Sequence, residues 1–154
     1  MFTDAQLAAE YAVAGNATLT LRSTRTNTRY TYLVKAPMDK ETGKRKPGNM
    51  LFVGLLTGPD NESDYTYLGV LRNDEFVITK ASKMREDSEP VKAFRYFIKK
   101  VFMEHEIPEQ LEVFHDGTCG RCGRKLTVPE SVESGIGPEC AKKEGIYTKR
   151  TEVL

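Results

Sequence analysis

Four side chains that bind transition metals are grouped in the C-terminal part of the chain. His115 precedes Cys119 and Cys122, and Cys140 follows after seventeen intervening residues. A Cys-x-x-Cys spacing followed by glycine makes the tight turn in which two thiolates converge on one ion. Three thiolates and one imidazole would complete a tetrahedral site, which leaves no open position for a catalytic water. The sequence therefore predicts one structural zinc ion (Zn²⁺) bound by these four residues.

Several alternatives to this ligand set remain open. His105, Asp116 or Glu139 could replace His115 as the fourth ligand. Three reduced structural thiols, a three-ligand catalytic site, or a redox pair of the first two cysteines would each use the same residues differently. Three cysteines is an odd number, and a disulfide framework would leave one thiol over, so clustered metal ligands explain the pattern better.

The same region resembles a known sequence family. The segments from Cys119 to Ser131 and from Gly135 to Cys140 are similar to an uncharacterised zinc-motif family that recurs in bacteriophage and prophage proteins, whose pattern includes a histidine matching His115. The residues from Leu56 to Glu62 and from Tyr65 to Gly69 also resemble the domain that often precedes this motif. The resemblance implies a phage-encoded accessory protein and carries no established activity.

Basic and aromatic residues supply candidate contacts to a partner. We consider these residues candidates for binding nucleic acid or a protein partner: Arg121, Arg124, Lys125, Lys142, Lys143, Tyr30, Tyr32, Tyr65 and Tyr67. Cations beside a zinc module commonly contact phosphate, and each pair of tyrosines shares one face of its strand, where rings can stack on bases. Arg22, Arg25, Arg29 and Lys35 would then contact the nucleic-acid backbone. The alternatives are a solvated mixed-charge surface and ordinary cross-strand packing of the tyrosines.

The overall composition demands no particular partner. The chain has 154 residues, with 23 basic and 22 acidic side chains and a formal net charge of +1. It contains no apolar run of the ~20 residues that a membrane-spanning helix needs, and its first residues lack the basic and apolar regions of a signal peptide. We therefore expect no membrane association and a location in the cytoplasm, which is the host cytoplasm if the protein is phage-encoded.

Secondary-structure signals indicate how these residues are positioned. A Thr-x-x-Gln capping box at Thr3 and a glycine at Gly15 bound a predicted helix, and Ser88-Glu89-Pro90 begins another that runs to about Met103. The strands are predicted near residues 17–22, 29–35, 50–56, 65–71 and 75–79. The run at 50–56 is apolar on both faces, which predicts a central strand with covers on both sides of the sheet, at least locally.

These elements predict an α+β fold in two units. Residues 1–103 form a β-rich domain with an N-terminal helix and a five-stranded antiparallel sheet covered by the second helix. Residues 104–154 begin with a bridge at 104–114 and form the zinc-binding module, which consists of the cysteine knuckle and a short helix around Cys140.

The leading functional hypothesis is a phage-type accessory protein that binds nucleic acid or a nucleic-acid-processing complex. The alternative is a protein–protein inhibitor of a host factor, such as a defence or replication enzyme, that does not bind nucleic acid. We do not expect an enzyme, because the chain has no phosphate-binding glycine loop and two histidines give poor support for a catalytic triad.

Overall fold

A computed structural model of the protein describes residues 2–37, 41, 50–58 and 65–116. The helical elements are α1 (Ala5–Ala12) and α2 (Glu89–Phe97), and a π-helical segment (Ile98–Met103) continues directly from α2. The strands are β1 (Asn16–Ser23), β2 (Arg29–Lys35), β3 (Met50–Leu56), β4 (Tyr65–Arg72), β5 (Glu75–Val77) and β6 (Leu111–His115). The described part of the chain is therefore mixed α+β, as predicted.

The six strands of the described residues form one antiparallel sheet in the order β5-β4-β3-β2-β1-β6. The first five strands pair with one another in chain order as a meander, which confirms the predicted antiparallel arrangement. The predicted count of five strands is wrong, because β6 lies where the sequence indicated only a bridge and pairs along the outer side of β1. The division between residues 103 and 104 stays a prediction, and a strand of the sheet lies on its C-terminal side.

Helix α1 begins one residue later than the capping box predicted. The Asp4 carboxylate accepts hydrogen bonds from the backbone amides of Gln6 and Leu7 at 2.8 and 3.3 Å, so Asp4 rather than Thr3 is the N-cap. The segment ends near the predicted glycine: Gly15 has a φ of 116°, a conformation that favours glycine, and its carbonyl accepts from the amide of Ala36.

One face of the sheet packs on the helices. Alternate residues of β3, at positions 51, 53 and 55, are buried, which is the period of two expected when one face of a strand meets the core. Strand β3 lies inside the sheet as predicted, yet Phe52 is 41% exposed, so the second cover predicted for this strand is missing at that residue.

Helix α2 and the π-helical segment cover the core as predicted. Phe94 is fully buried, with its ring centroid 4.9 Å from those of Tyr32 and Phe76. Phe97 is also fully buried, and its ring centroid lies 5.8 Å from that of Phe94. This aromatic cluster joins the helix to β2 and β5 and so fixes the helix across the sheet.

Within the described residues, we find no helix with both the length and the apolar character needed to cross a membrane.

Candidate functional site

Strand β6 fixes the position of the predicted histidine ligand. The strand pairs antiparallel with β1, so that Leu111 lies opposite Ser23 and His115 lies opposite Leu19. Leu111 and Val113 are buried, and the alternation places His115 on the same core-facing side of the strand. His115 therefore belongs to the sheet, at the point from which the chain continues towards the cysteines.

Two aromatic rings from the N-terminal segment, residues 2–12, pack against His115. The centroid of its imidazole lies 5.4 Å from the Phe2 ring, in an edge-on arrangement, and 5.7 Å from the Tyr11 ring. Phe2 is 3% exposed and Tyr11 is fully buried, while His115 is half-buried. The histidine thus lies at the rim of the core with its ring packed against two buried neighbours.

Hydrogen bonds tie the same N-terminal segment to the sheet edge. The Tyr11 hydroxyl donates to the carbonyl of Thr18 at 2.7 Å and accepts from the Thr18 amide at 3.0 Å. Thr18 lies on β1 just beyond the residues that pair with β6, so this hydroxyl satisfies strand groups that would otherwise lack a partner there. The amide of Phe2 donates to the carbonyl of Val113 at 2.8 Å, on β6 itself.

The remaining predicted metal ligands and zinc-module cations lie outside the described residues. These are Cys119, Cys122, Cys140, Arg121, Arg124, Lys125, Lys142 and Lys143. Among residues 2–37, 41, 50–58 and 65–116, no group of three or more His, Cys, Asp or Glu side chains is arranged to hold a metal. The donor types still fit zinc, since one imidazole and three thiolates are the ligands of closed structural zinc sites. The zinc site stays a prediction.

The three alternative fourth ligands differ in their placement. His105 is exposed and has a φ of 56°. It follows the π-helical segment, so the whole of β6 lies between it and the cysteines in the chain. Asp116 is the residue directly after His115, and Glu139 lies outside the described residues. His115 is the candidate that the sheet holds in place.

The tyrosines of β2 share one side of the strand, as predicted, but that side faces the core. Tyr32 is fully buried, and its hydroxyl donates to the carbonyl of Pro90 at 2.6 Å. Burial raises the pKa of Tyr32, so its hydroxyl stays protonated as a donor. Its ring faces are covered, and a base cannot stack on them, which corrects the prediction for this residue. Tyr30, 6.5 Å away, is half-buried and lies nearer the surface.

The tyrosines of β4 are both half-buried. The Tyr67 hydroxyl shares a hydrogen bond with that of Thr79 at 3.2 Å, and its ring lies 6.5 Å from Phe52. The Tyr65 hydroxyl is buried and has no hydrogen-bond partner among the described residues, and burial, followed by the nearby Asp116 carboxylate, raises its pKa. Neither tyrosine lines the open groove between the β1–β2 hairpin and helix α2.

An open groove of about 650 Å³ lies between the β1–β2 hairpin and helix α2. The hairpin contributes Arg22, Arg25 and Tyr30, whereas the helix contributes Lys92 and Tyr96. Gln110, just before β6, also lines the groove and donates to the Tyr96 hydroxyl at 2.7 Å. The volume falls within the ~300–1,000 Å³ typical of ligand sites.

The cations of this groove differ in how far they are neutralised. Arg22 forms an ion pair with Glu112 and donates to the Asn27 side chain at 2.8 Å, so it is held in place. The ammonium of Lys92 is 4.0 Å from Glu89, and both side chains are mostly exposed. Arg25 is exposed and has no hydrogen bond or ion pair to any residue that the structure describes. Arg25 and Lys92 are therefore the cations most available to an anionic ligand.

Sequence reasoning named Arg22, Arg25 and Tyr30 but missed Lys92 and Tyr96 as groove residues. The two missed residues are four positions apart and so share a face of α2. That spacing could have shown from the sequence that a cation and an aromatic ring lie side by side on this helix. Their proximity to the hairpin depends on tertiary packing, which no local pattern reveals.

Residues 110–145 match a family of unknown function (DUF6011), and this segment is less than half of the chain. The matched segment begins just before β6 and includes His115 and all three cysteines. Neither the curated proteins nor the solved structures include a match to this chain.

Proposed function

We propose that this protein is a phage-type accessory protein that binds single-stranded nucleic acid, alone or within a nucleic-acid-processing complex, and carries one structural zinc ion. The observation that carries the binding proposal is the groove between the β1–β2 hairpin and α2. The hairpin contributes Arg25 and Tyr30 to its lining, and the helix contributes Lys92 and Tyr96. In this proposal the zinc module extends the surface with its own cations.

The groove has the two components that sequence-independent recognition of single strands requires. Cations contact the phosphates, and an aromatic ring offers a face to a base. Arg25 has no competing partner among the described residues, so a phosphate would not have to displace a carboxylate from it. A base stacked on tyrosine typically contributes ~1–3 kcal/mol, and Tyr30 is the groove ring nearest the free arginine in sequence.

The volume of the groove limits the length of strand it can hold. A space of about 650 Å³ suits one or two nucleotides rather than a long tract. The carboxylate of Glu89, which lines the groove, and that of Glu112, which forms an ion pair with the groove residue Arg22, reduce the net positive charge. We therefore expect modest affinity from the groove alone, with the further cations Arg121, Arg124, Lys125, Lys142 and Lys143 adding to it.

The Arg25→Ala/Lys92→Ala double variant is expected to bind a short single-stranded oligonucleotide about tenfold more weakly than the parent chain at low salt. Two lost phosphate contacts should also reduce the slope of log affinity against log salt by about 1.4, because each contact contributes ~0.7 on single strands. Fluorescence anisotropy with labelled single-stranded DNA, single-stranded RNA and duplex across a salt series measures both quantities.

A matched control removes two exposed cations elsewhere. Lys80 and Arg85 are exposed and do not line the groove, so Lys80→Ala/Arg85→Ala makes the same change in net charge. The groove is the wrong surface if the control variant loses as much affinity as the groove variant. A parent chain that binds no oligonucleotide of any form but co-purifies with a host enzyme would favour the inhibitor hypothesis instead.

A further inference from the structure

We infer that the N-terminal segment supports the metal site: Phe2 and Tyr11 hold the His115 imidazole in position, and zinc binding is therefore coupled to the stability of the sheet edge. This inference rests on the proposed zinc site. It assigns a positioning role to two residues that lie more than a hundred positions before His115 in the sequence.

The first support is direct contact between the rings. The imidazole centroid lies 5.4 Å from that of Phe2 and 5.7 Å from that of Tyr11, and these two rings are themselves 5.4 Å apart. Three mutually adjacent rings restrict the rotation of the least buried member, which is the histidine. A ligand ring that is already oriented loses less conformational freedom when it binds a metal.

The second support is the set of hydrogen bonds between the N-terminal segment and the two strands near His115. The Phe2 amide donates to Val113, two residues before His115, at 2.8 Å. The Tyr11 hydroxyl holds both the amide and the carbonyl of Thr18, which is the neighbour of the residue opposite His115. The N-terminal segment therefore contacts both β6 and β1 close to the proposed ligand.

Coupling follows from this arrangement by thermodynamic linkage. If ordering of the segment favours the orientation of His115 that binds zinc, then zinc must favour the ordered segment by the same factor. Zinc would thus stabilise the edge of the sheet as well as the residues that contain the cysteines.

The experiment measures zinc affinity by chelator competition in the full-length chain and in two variants. Phe2→Ala removes one of the two rings that pack against the His115 imidazole. We expect it to weaken zinc binding on the order of tenfold, as is typical when a residue that orients a metal ligand is lost. Phe76→Ala is the matched control, since Phe76 is a buried ring on β5, at the opposite edge of the sheet from β6. This control should leave the affinity within twofold of the parent. Phe2→Leu, which keeps an apolar side chain in the core, replaces Phe2→Ala if the alanine variant does not fold.

A spectroscopic readout separates positioning from general destabilisation. With Co²⁺ in place of zinc, the visible absorption bands report the geometry of the ligand set, and we expect them to shift in Phe2→Ala but not in Phe76→Ala. Equal affinity and equal spectra for the two variants would overturn the inference and leave the zinc site intact. A parent chain that binds neither zinc nor cobalt would overturn the zinc site itself.

Discussion

Replacing Cys140 with serine is expected to abolish stoichiometric zinc binding and leave the strands β1 to β5 and both helices folded. A hydroxyl is a much poorer zinc ligand than a thiolate, and structural zinc in small modules contributes a large share of their folding free energy, about 10–16 kcal/mol in isolated peptides. The buried core of the described region consists of residues from positions 2 to 113, and none of these residues is a proposed zinc ligand.

Hydrogen exchange with mass spectrometry locates the effect of this substitution. Amides after Asp116 should exchange faster in Cys140→Ser, whereas those of β1 to β5 should keep their protection. Ala141→Ser is the matched control, because it introduces the same hydroxyl at the neighbouring position without touching a ligand. A Cys140→Ser chain that still holds one zinc ion would remove Cys140 from the ligand set, and loss of protection throughout the sheet would contradict the division into two units.

Phe94→Ala should have the largest effect on the stability of the sheet and its helices. The side chain is fully buried among Tyr32, Phe76 and Phe97, so its removal leaves a cavity at the centre of the aromatic cluster. Substitutions of this kind lower the free energy of unfolding by ~3–5 kcal/mol, which is a large part of the ~5–15 kcal/mol available to a typical domain.

Urea unfolding followed by circular dichroism measures this loss. Met103→Ala serves as the control on the π-helical segment that continues α2, because Met103 is 60% exposed and its truncation should change stability by less than ~0.5 kcal/mol. A loss below ~1 kcal/mol in Phe94→Ala would show that the cluster does not form the centre of the core.

Strands β1 to β5 could be predicted from the sequence because the residue patterns that indicate them are local. The bounds of β2 and β3 are those predicted, since each strand is a run of strand-forming residues between turn residues. Strand β6 was missed because its partner is distant: Arg22 and Glu112 pair across ninety positions. Its alternation of Leu111, Val113 and His115 was present in the sequence but was too short to distinguish a strand from a bridge.

The candidate site was only partly predictable for similar reasons. Alternation indicated that Tyr30 and Tyr32 share a face. It could not show that this face packs on α2, where the Pro90 carbonyl accepts a hydrogen bond from the Tyr32 hydroxyl. The groove combines a hairpin and a helix that lie some sixty positions apart, and no spacing rule connects them. The aromatic support of His115 likewise depends on the return of β6 to the N-terminal segment.

Native mass spectrometry of the full chain, mixed with a short single-stranded oligonucleotide and recorded with and without a chelator, tests the central claim most directly. We expect one zinc ion per chain, removed by the chelator, and one bound strand that is lost as salt increases. A folded chain without metal would contradict the zinc site, and a zinc-loaded chain that binds no strand would contradict the proposed role of the groove.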